Sequence, residues 1–495
     1  MRKSTVRGRL LLVLLVSLFL AVLCPLLFEF SPPPGAQPEN DSQRRVIVSW
    51  RADSHPAERE VASISAGGRL IHHYKSGHGA LVWLPNAAAE ERLRRDPRVT
   101  QVAPNRRIQE LSRLEICGPP YCEDCGGGGG GTPPGTQRVP LGVSRIGAAP
   151  GVVSYNGTGV GVAVVDSGIN RQHRDLIRPD GTRVVSPTCY VANELSTCDS
   201  DLSILTNGHG TKVAGIIAAV NNDVDLVGVA PGATLYNVNV FKSQLECEGD
   251  ETFCATDDTL IAGLQWIIDN HNTVSPPIKV DNISLGRPGT PGDNQVLFGK
   301  LVEVQNLEIV AVVAACNDPT REVIGTVPAG YGEPVMAIAS TTAVNGADDG
   351  SACAVLPHVP ADTASWFTTD GRFDPNTHIG VTVSAPGEDR EDVVAAPGAC
   401  VPRSVGLEVL ARDGALARDA GTSLSSAHVA GVVALMKQKA AALGAQLFIQ
   451  VARQKIQDTA SRRGEVPLDS THTDYTFDSE REGIVWAPAA LQALH

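Results

Sequence analysis

Val160-Gly161-Val162-Ala163-Val164-Val165-Asp166 is a continuous run of small apolar residues that ends abruptly on a carboxylate. A run without alternation describes a strand covered on both faces, as in a parallel sheet, with Asp166 at its carboxyl end. In open α/β sheets that end borders the functional crevice. Similar runs occur at 234–241, 280–284, 309–315 and 335–339, and helical patterns follow Gly210 and span about 259–270 and 296–304. Strand and helix alternate, so the expected class is α/β with a mainly parallel sheet.

The rest of the composition agrees. A chain of 495 residues has ample material for one large domain and a smaller one. Aromatic residues make up only 4%, while glycine numbers 49, and Ala and Val are plentiful, which suits a tightly packed sheet. The formal charge of −13 is uneven: residues 1–115 carry 17 Lys and Arg against 11 Asp and Glu, a balance of +6, leaving −19 for the remainder. An acidic main body argues against nucleic acid as a partner. The opposite signs would favour association of the two parts, and two independently solvated surfaces would account for them equally well.

Arg2, Lys3, Arg7 and Arg9 precede an uncharged run over 10–28, the pattern of an export signal. Its length suits either a signal removed from within residues 1–35 or an anchor that tethers the chain to a membrane. Of eleven cysteines, Cys24 lies in this run, and Cys189/Cys198 and Cys247/Cys254 form short local pairs. Such pairs point to disulfides in an oxidising extracellular or periplasmic setting. Cys122-x-x-Cys125 is half a zinc site with no second half.

Residues 36–111 form a separate unit. A strand from Val46, a helix over 56–65, a strand over 80–84, a helix over 87–95 and a closing strand around 98–105 give a βαβαβ order, a small ferredoxin-like α+β module. Before an enzyme, such a module is a binding domain or a removable pro-segment. Residues 112–135 contain Cys117, Cys122, Cys125 and the unbroken glycines 126–131, which read as a linker. Residues 136–495 then carry the chemistry.

Four stretches matter there: Asp166-Ser167-Gly168-Ile169; Asn207-Gly208-His209-Gly210-Thr211; Ala314-Ala315-Cys316-Asn317-Asp318; and Gly421-Thr422-Ser423 running into the small apolar segment through Leu435. A serine is a poor nucleophile unless a base takes its proton and donors stabilise the oxyanion. Singly, each stretch has an ordinary structural reading as a capping acid, a loop histidine, a turn-forming amide or an N-capping serine.

Together, in the order acid, histidine, amide, serine, they resemble the subtilisin-like serine proteases. Thr136-Gln137-Arg138-Val139-Pro140-Leu141-Gly142 is similar to that family's mature start, Asn282-Ile283-Ser284-Leu285-Gly286 to its substrate strand, and Ser384-Ala385-Pro386-Gly387 to the segment before its serine. Gly483-Ile484-Val485 with Ala489-Ala490 is similar to its closing segment, and residues 45–111 to its inhibitory pro-segment.

The resemblance implies a three-layer fold and a secreted endopeptidase made as a self-processing zymogen and acting as a monomer. Protein or peptide chains would be its substrates and its own pro-segment its inhibitor. Ser423 would be the nucleophile, His209 the base and Asp166 its orienting acid. Asn317 would donate to the oxyanion, and Ser284, Leu285 and Gly286 would pair with substrate. Self-cleavage would fall near Leu111 or within the glycine-rich linker.

The resemblance further implies a structural calcium ion held by Gln137, Asp175 and the loop positions Val220, Asn222, Val224 and Leu226. Three departures stand out: Ala427 where the family has proline, Cys316 where it has glycine, and Arg287 where a second glycine is common. The last two border the expected specificity pocket. A silent peptide-binding relative and a narrowly specific processing protease are the alternatives.

Overall fold

The computed structural model describes residues 44–75, 78–111, 136–192, 197–199, 201, 208–242, 254–348, 353, 359–396, 399–461 and 482–495. The apolar run 10–28, the linker 112–135, Asn207 and Cys247 lie outside the described residues. Among those described, no helix is long and apolar enough to cross a membrane.

The N-terminal unit runs β1 (Arg44–Trp50), α1 (Pro56–Ser65), β2 (Arg69–His73), β3 (Gly79–Leu84), α2 (Ala87–Arg94) and β4 (Val99–Pro104), with sheet order β2-β3-β1-β4. It contains one strand more than the sequence pattern suggests, β2. That strand, Arg-Leu-Ile-His-His, sits at the sheet edge with most of its side chains exposed, so it carries little hydrophobic signal. The resulting βαββαβ order is the full split-βαβ arrangement. Local chemistry sets the helix starts: His55 and Glu58 form a capping box around Pro56, the first helical residue, and the Asn86 side chain accepts from Ala89 N at 3.0 Å.

A short strand, β5 (Arg107–Glu110), leads into the main body of β6 (Gly161–Asp166), β7 (Tyr190–Val191), α3 (His209–Ala218), β8 (Thr234–Asn239), β9 (Ala255–Thr256) and α4 (Asp257–Asn270). The chain continues through β10 (Ile278–Ile283), β11 (Leu285–Pro288), α5 (Gln295–Asn306), β12 (Val310–Ala314), β13 (Thr326–Val327), β14 (Val335–Thr342), β15 (Val381–Glu388) and α6 (Thr422–Ala442). Seven strands form one parallel sheet in the order β15-β14-β12-β10-β6-β8-β7. The buried α3 and α6 cover one face, and α4 and α5 pack on the other. This is the expected three-layer α/β arrangement.

The long strands lie where continuous apolar runs place them, because a strand covered on both faces needs apolar residues at every position. Lys279, Asp281 and Asn282 are exceptions within β10; Asp281 is fully buried, and burial pushes its carboxyl up to about 8. Neither the edge strand β15 nor the two-residue β7 is evident from the sequence.

The N-terminal unit packs its sheet against α4 and α5, where Ile47, Leu81 and Ala103 join Leu260, Ile261, Leu264 and Leu297 in one apolar cluster. Opposite charges meet around it: Lys75 pairs with Asp269 at 2.6 Å and Arg106 pairs with Asp293. The Asn105 side chain bonds Asp258 through both its amide and its carbonyl, at 2.8 and 3.0 Å, at the start of α4.

Cys189 and Cys198 are disulfide-bonded, as are Cys353 and Cys400, a pair 47 residues apart that local spacing does not suggest. Cys316 is buried and free, so the even count of ten does not mean that every cysteine is bridged.

Candidate active site

The first site element is the end of β6. Asp166 is fully buried, and its Oδ1 accepts from Ser167 N at 2.7 Å and lies 2.8 Å from His209 Nδ1. His209 opens α3, and Gly210 explains why α3 approaches so closely: a Cβ there would overlap Gly168 O. The junction is also tied by Asp201, which accepts from Ser167 Oγ at 2.9 Å and from Thr211 N at 2.8 Å.

Ser423 is the second residue of α6. It is fully buried, and its Oγ donates to Leu111 O at 2.7 Å rather than to His209. His209 Nε2 consequently has no hydrogen-bond partner. Gly421 makes this approach possible, since a Cβ on it would overlap Leu111 O and lie 3.2 Å from Asn317 Nδ2. The Asn317 Oδ1 accepts from Thr422 N at 3.0 Å and Thr422 Oγ1 at 2.9 Å, which turns the amide nitrogen toward that same corner.

The segment ending at Leu111 lies in the crevice as an added strand. β5 pairs antiparallel with β11, Leu285 opposite Glu110 and Gly286 opposite Gln109, and with β9 on its other side. Ser284 stands just before this ladder, and its hydroxyl is bonded instead to Ser423 O at 3.1 Å. Ala427, which stands where the family has proline, lies more than one turn inside α6, which begins at Thr422, and is fully buried.

Sequence reasoning did not single out Glu110, Lys212 or Asp419. Glu110 brings a carboxylate oxygen into the group formed with Asp166 and His209, all within 4.8 Å of one another. Burial alone would lower the His209 pKa. The Asp166 carboxylate and its hydrogen bond, with the charges of Glu110 and Asp419, outweigh it and push the group up to about 9. Lys212 and Asp419 form a buried pair at 2.8 Å that ties α3 to the turn before α6. Lys212, one turn after His209, and Asp419, four residues before Ser423, carried a signal of place; Glu110 reaches the site through tertiary folding.

A second cluster lies at the end of α3. Gln137 Nε2 is 2.7 Å from Val220 O, 3.1 Å from Leu226 O, and 3.3 Å from both Val224 O and Asn222 Oδ1. Asp175 is fully buried. Its Oδ2 accepts from Leu226 N at 2.9 Å, while its Oδ1 has no partner and burial pushes the carboxyl up to about 7.

The sequence model of the Subtilase family matches residues 157–478. Subtilisin E of Bacillus subtilis (strain 168) is 28% identical over 407 residues, covering 81% of this chain and 82% of its own. Subtilisin of Bacillus pumilus is 30% identical over 305 residues, covering 61% of this chain and 86% of its own. Among solved structures, fervidolysin from Fervidobacterium pennivorans, described as a keratinolytic enzyme related to subtilisin, superposes with a TM-score of 0.59 at 20% identity. That match takes in 92% of this chain, which spans 62% of the fervidolysin chain. With the family match covering more than half of its length, this chain belongs to the subtilase family and is a serine-type endopeptidase that acts on proteins or peptides.

Proposed function

We propose that the protein is a secreted protease made as a self-processing zymogen, with Ser423 as nucleophile, His209 as general base and Asp166 as its orienting partner. The observation that carries this reading is the Ser423 Oγ to Leu111 O distance of 2.7 Å, in a tail paired with β11 as a substrate strand would be. Residues 36–111 are then the inhibitory pro-segment, 112–135 the linker, and 136–495 the catalytic domain. The basic-then-apolar N-terminus and the disulfides support export.

The first turnover is intramolecular. The Ser423 hydroxyl turns from Leu111 O toward His209, whose Nε2 takes its proton as Oγ bonds to the Leu111 carbonyl carbon. The oxyanion is held by the Asn317 amide and the Ser423 backbone N–H, at the positive end of α6. The Leu111–Ser112 bond breaks as His209 returns the proton to the Ser112 nitrogen, and water then hydrolyses the acyl-enzyme. After cleavage, the tail that stays seated on β11 and against Ser423 occupies the cleft and keeps other substrates out. Inhibition is thus steric.

Expression with the native leader tests this. The medium should contain a protein beginning at Ser112 or within the linker that hydrolyses unfolded protein and is silenced by a serine-directed fluorophosphonate bound at Ser423. A mature start upstream of residue 100, or a processed protein without hydrolytic activity, would contradict the proposal.

The Gln137 cluster fits calcium. Turning the amide over directs Gln137 Oε1 to a point already faced by three carbonyls and Asn222 Oδ1, beside the unsatisfied Asp175 Oδ1. Oxygen donors of this number and hardness suit calcium rather than a transition metal. When bound, the ion would supply no reaction chemistry; it would tie the mature N-terminus to the loop after α3. Calcium at a hundredfold excess over its Kd should stabilise the protein by about 2.7 kcal/mol. Melting curves with calcium and with chelator measure this, and the difference should vanish in Asp175→Ala. Equal melting temperatures in the parent protein would rule the site out.

A further inference from the structure

We propose that Cys316 sets the size limit of the pocket for the side chain that precedes the scissile bond, selecting Leu-sized aliphatic residues over Phe and Tyr. This rests on the reading of the Leu111 tail as substrate-like. In the structure Leu111 is 6% exposed and forms a separate small apolar cluster with Ala314 and Cys316. The sulfur and the leucine reach the same spot: a Cβ on Gly286 would lie 2.6 Å from Cys316 Sγ and 3.2 Å from Leu111 Cδ1. The thiol therefore fills space along the substrate strand into which a longer P1 side chain would extend.

The backbone at Cys316 has φ +108°, a region that favours glycine. A side chain is held there against local preference, in a conformation kept by the hydrogen bond from Thr369 N to Cys316 O at 2.9 Å. Burial pushes the thiol up to about 12, so it stays neutral and serves as an apolar, polarizable wall rather than a nucleophile. The other unusual residue at this border, Arg287, brings no free charge to the pocket. It is 3% exposed and donates Nε and Nη2 to the two oxygens of Asp257 at 2.8 and 2.7 Å. Pocket size, not charge, is thus what distinguishes this site.

The test compares kcat/KM for peptide anilides differing only in Leu or Phe before the cleaved bond, on the processed parent protein, Cys316→Ala and Cys316→Gly. A group of this size in a pocket changes discrimination by about 10- to 200-fold. The parent should prefer Leu, and the Phe/Leu ratio should rise at least about tenfold in Cys316→Gly, with Cys316→Ala between them. Glycine also relaxes the +108° backbone, so this variant should melt no lower than the parent.

A second readout uses the full chain. Leu111→Phe should slow self-processing, seen as persistence of the full-length band, and adding Cys316→Gly should restore it. An unchanged Phe/Leu ratio, or a parent that prefers Phe, overturns this inference and leaves the protease reading standing. No hydrolysis of either peptide by the processed parent overturns both.

Discussion

Ser423→Ala is expected to leave the pro-segment joined to the catalytic domain and to lower turnover by about 10⁶-fold, the scale known for subtilisin when its nucleophile is removed. The reason lies at one point of the structure. Ser423 Oγ is the only side-chain hydroxyl that contacts Leu111 O among the described residues, and the fully buried His209 beside it has an unengaged Nε2. Without the hydroxyl no acyl-enzyme forms, and the Leu111–Ser112 bond stays intact.

The pro-segment should then remain bound through its apolar interface with α4 and α5, so the variant should melt as one body with the tail in place. Two measurements decide: the mass of the secreted product and hydrolysis of a peptide anilide after the linker has been cut by an added protease. Full self-processing by Ser423→Ala would show that another residue performs the cleavage.

Asn317→Ala should lower kcat by about 10² to 10³, the range given by the equivalent amide of subtilisin, while KM changes by less than about threefold. The donor matters most when negative charge develops on the carbonyl oxygen, so its loss falls on kcat. The Asn317 carbonyl also holds Thr422 N and Thr422 Oγ1, so alanine additionally loosens the turn before Ser423. Asn317→Asp separates these roles. It keeps the acceptor for Thr422 but sets a carboxylate where the donor stood, so it should be at least as slow as alanine while melting nearer the parent. A kcat close to the parent in both variants would remove Asn317 from the reaction.

Much of the fold was legible because its central strands are buried on both faces: β6, β12 and the first five residues of β14 are largely apolar runs, and β8 and β10 are apolar runs interrupted by Asn237 and by Lys279, Asp281 and Asn282. The strands that were missed lack such runs. β2 is an exposed edge with His72 and His73, and β7 has two residues, whereas β15 is buried throughout but its sequence is broken by Thr382, Ser384, Pro386 and Gly387. Helix α6 was legible from its first turn, since the Gly421 turn runs directly into it, but that Asn317 Oδ1 caps it by accepting from Thr422 N is a tertiary contact.

The candidate site divides in the same way. Asp166, His209, Asn317 and Ser423 stood out because their chemistry is local: an acid ends a strand, a histidine sits between glycines, an amide follows another strand, and a serine follows a glycine turn. Glu110 had no such context, and it acts on His209, as does Asp419, through space, by charges whose distance only the fold sets.

By itself, the sequence determined the order of the central strands and their helices, the residues we propose for acyl-transfer chemistry, and the oxygen-rich composition of the loop around Asn222. These depend on side-chain type and short spacing. Only the tertiary structure decided that Leu111 meets Ser423, two residues 312 apart in the chain, that Arg287 is neutralised by Asp257, and that the Cys316 sulfur rather than a charge borders the pocket. Each is a contact between distant segments brought together by burial of the β-sheet faces, and no local pattern encodes it.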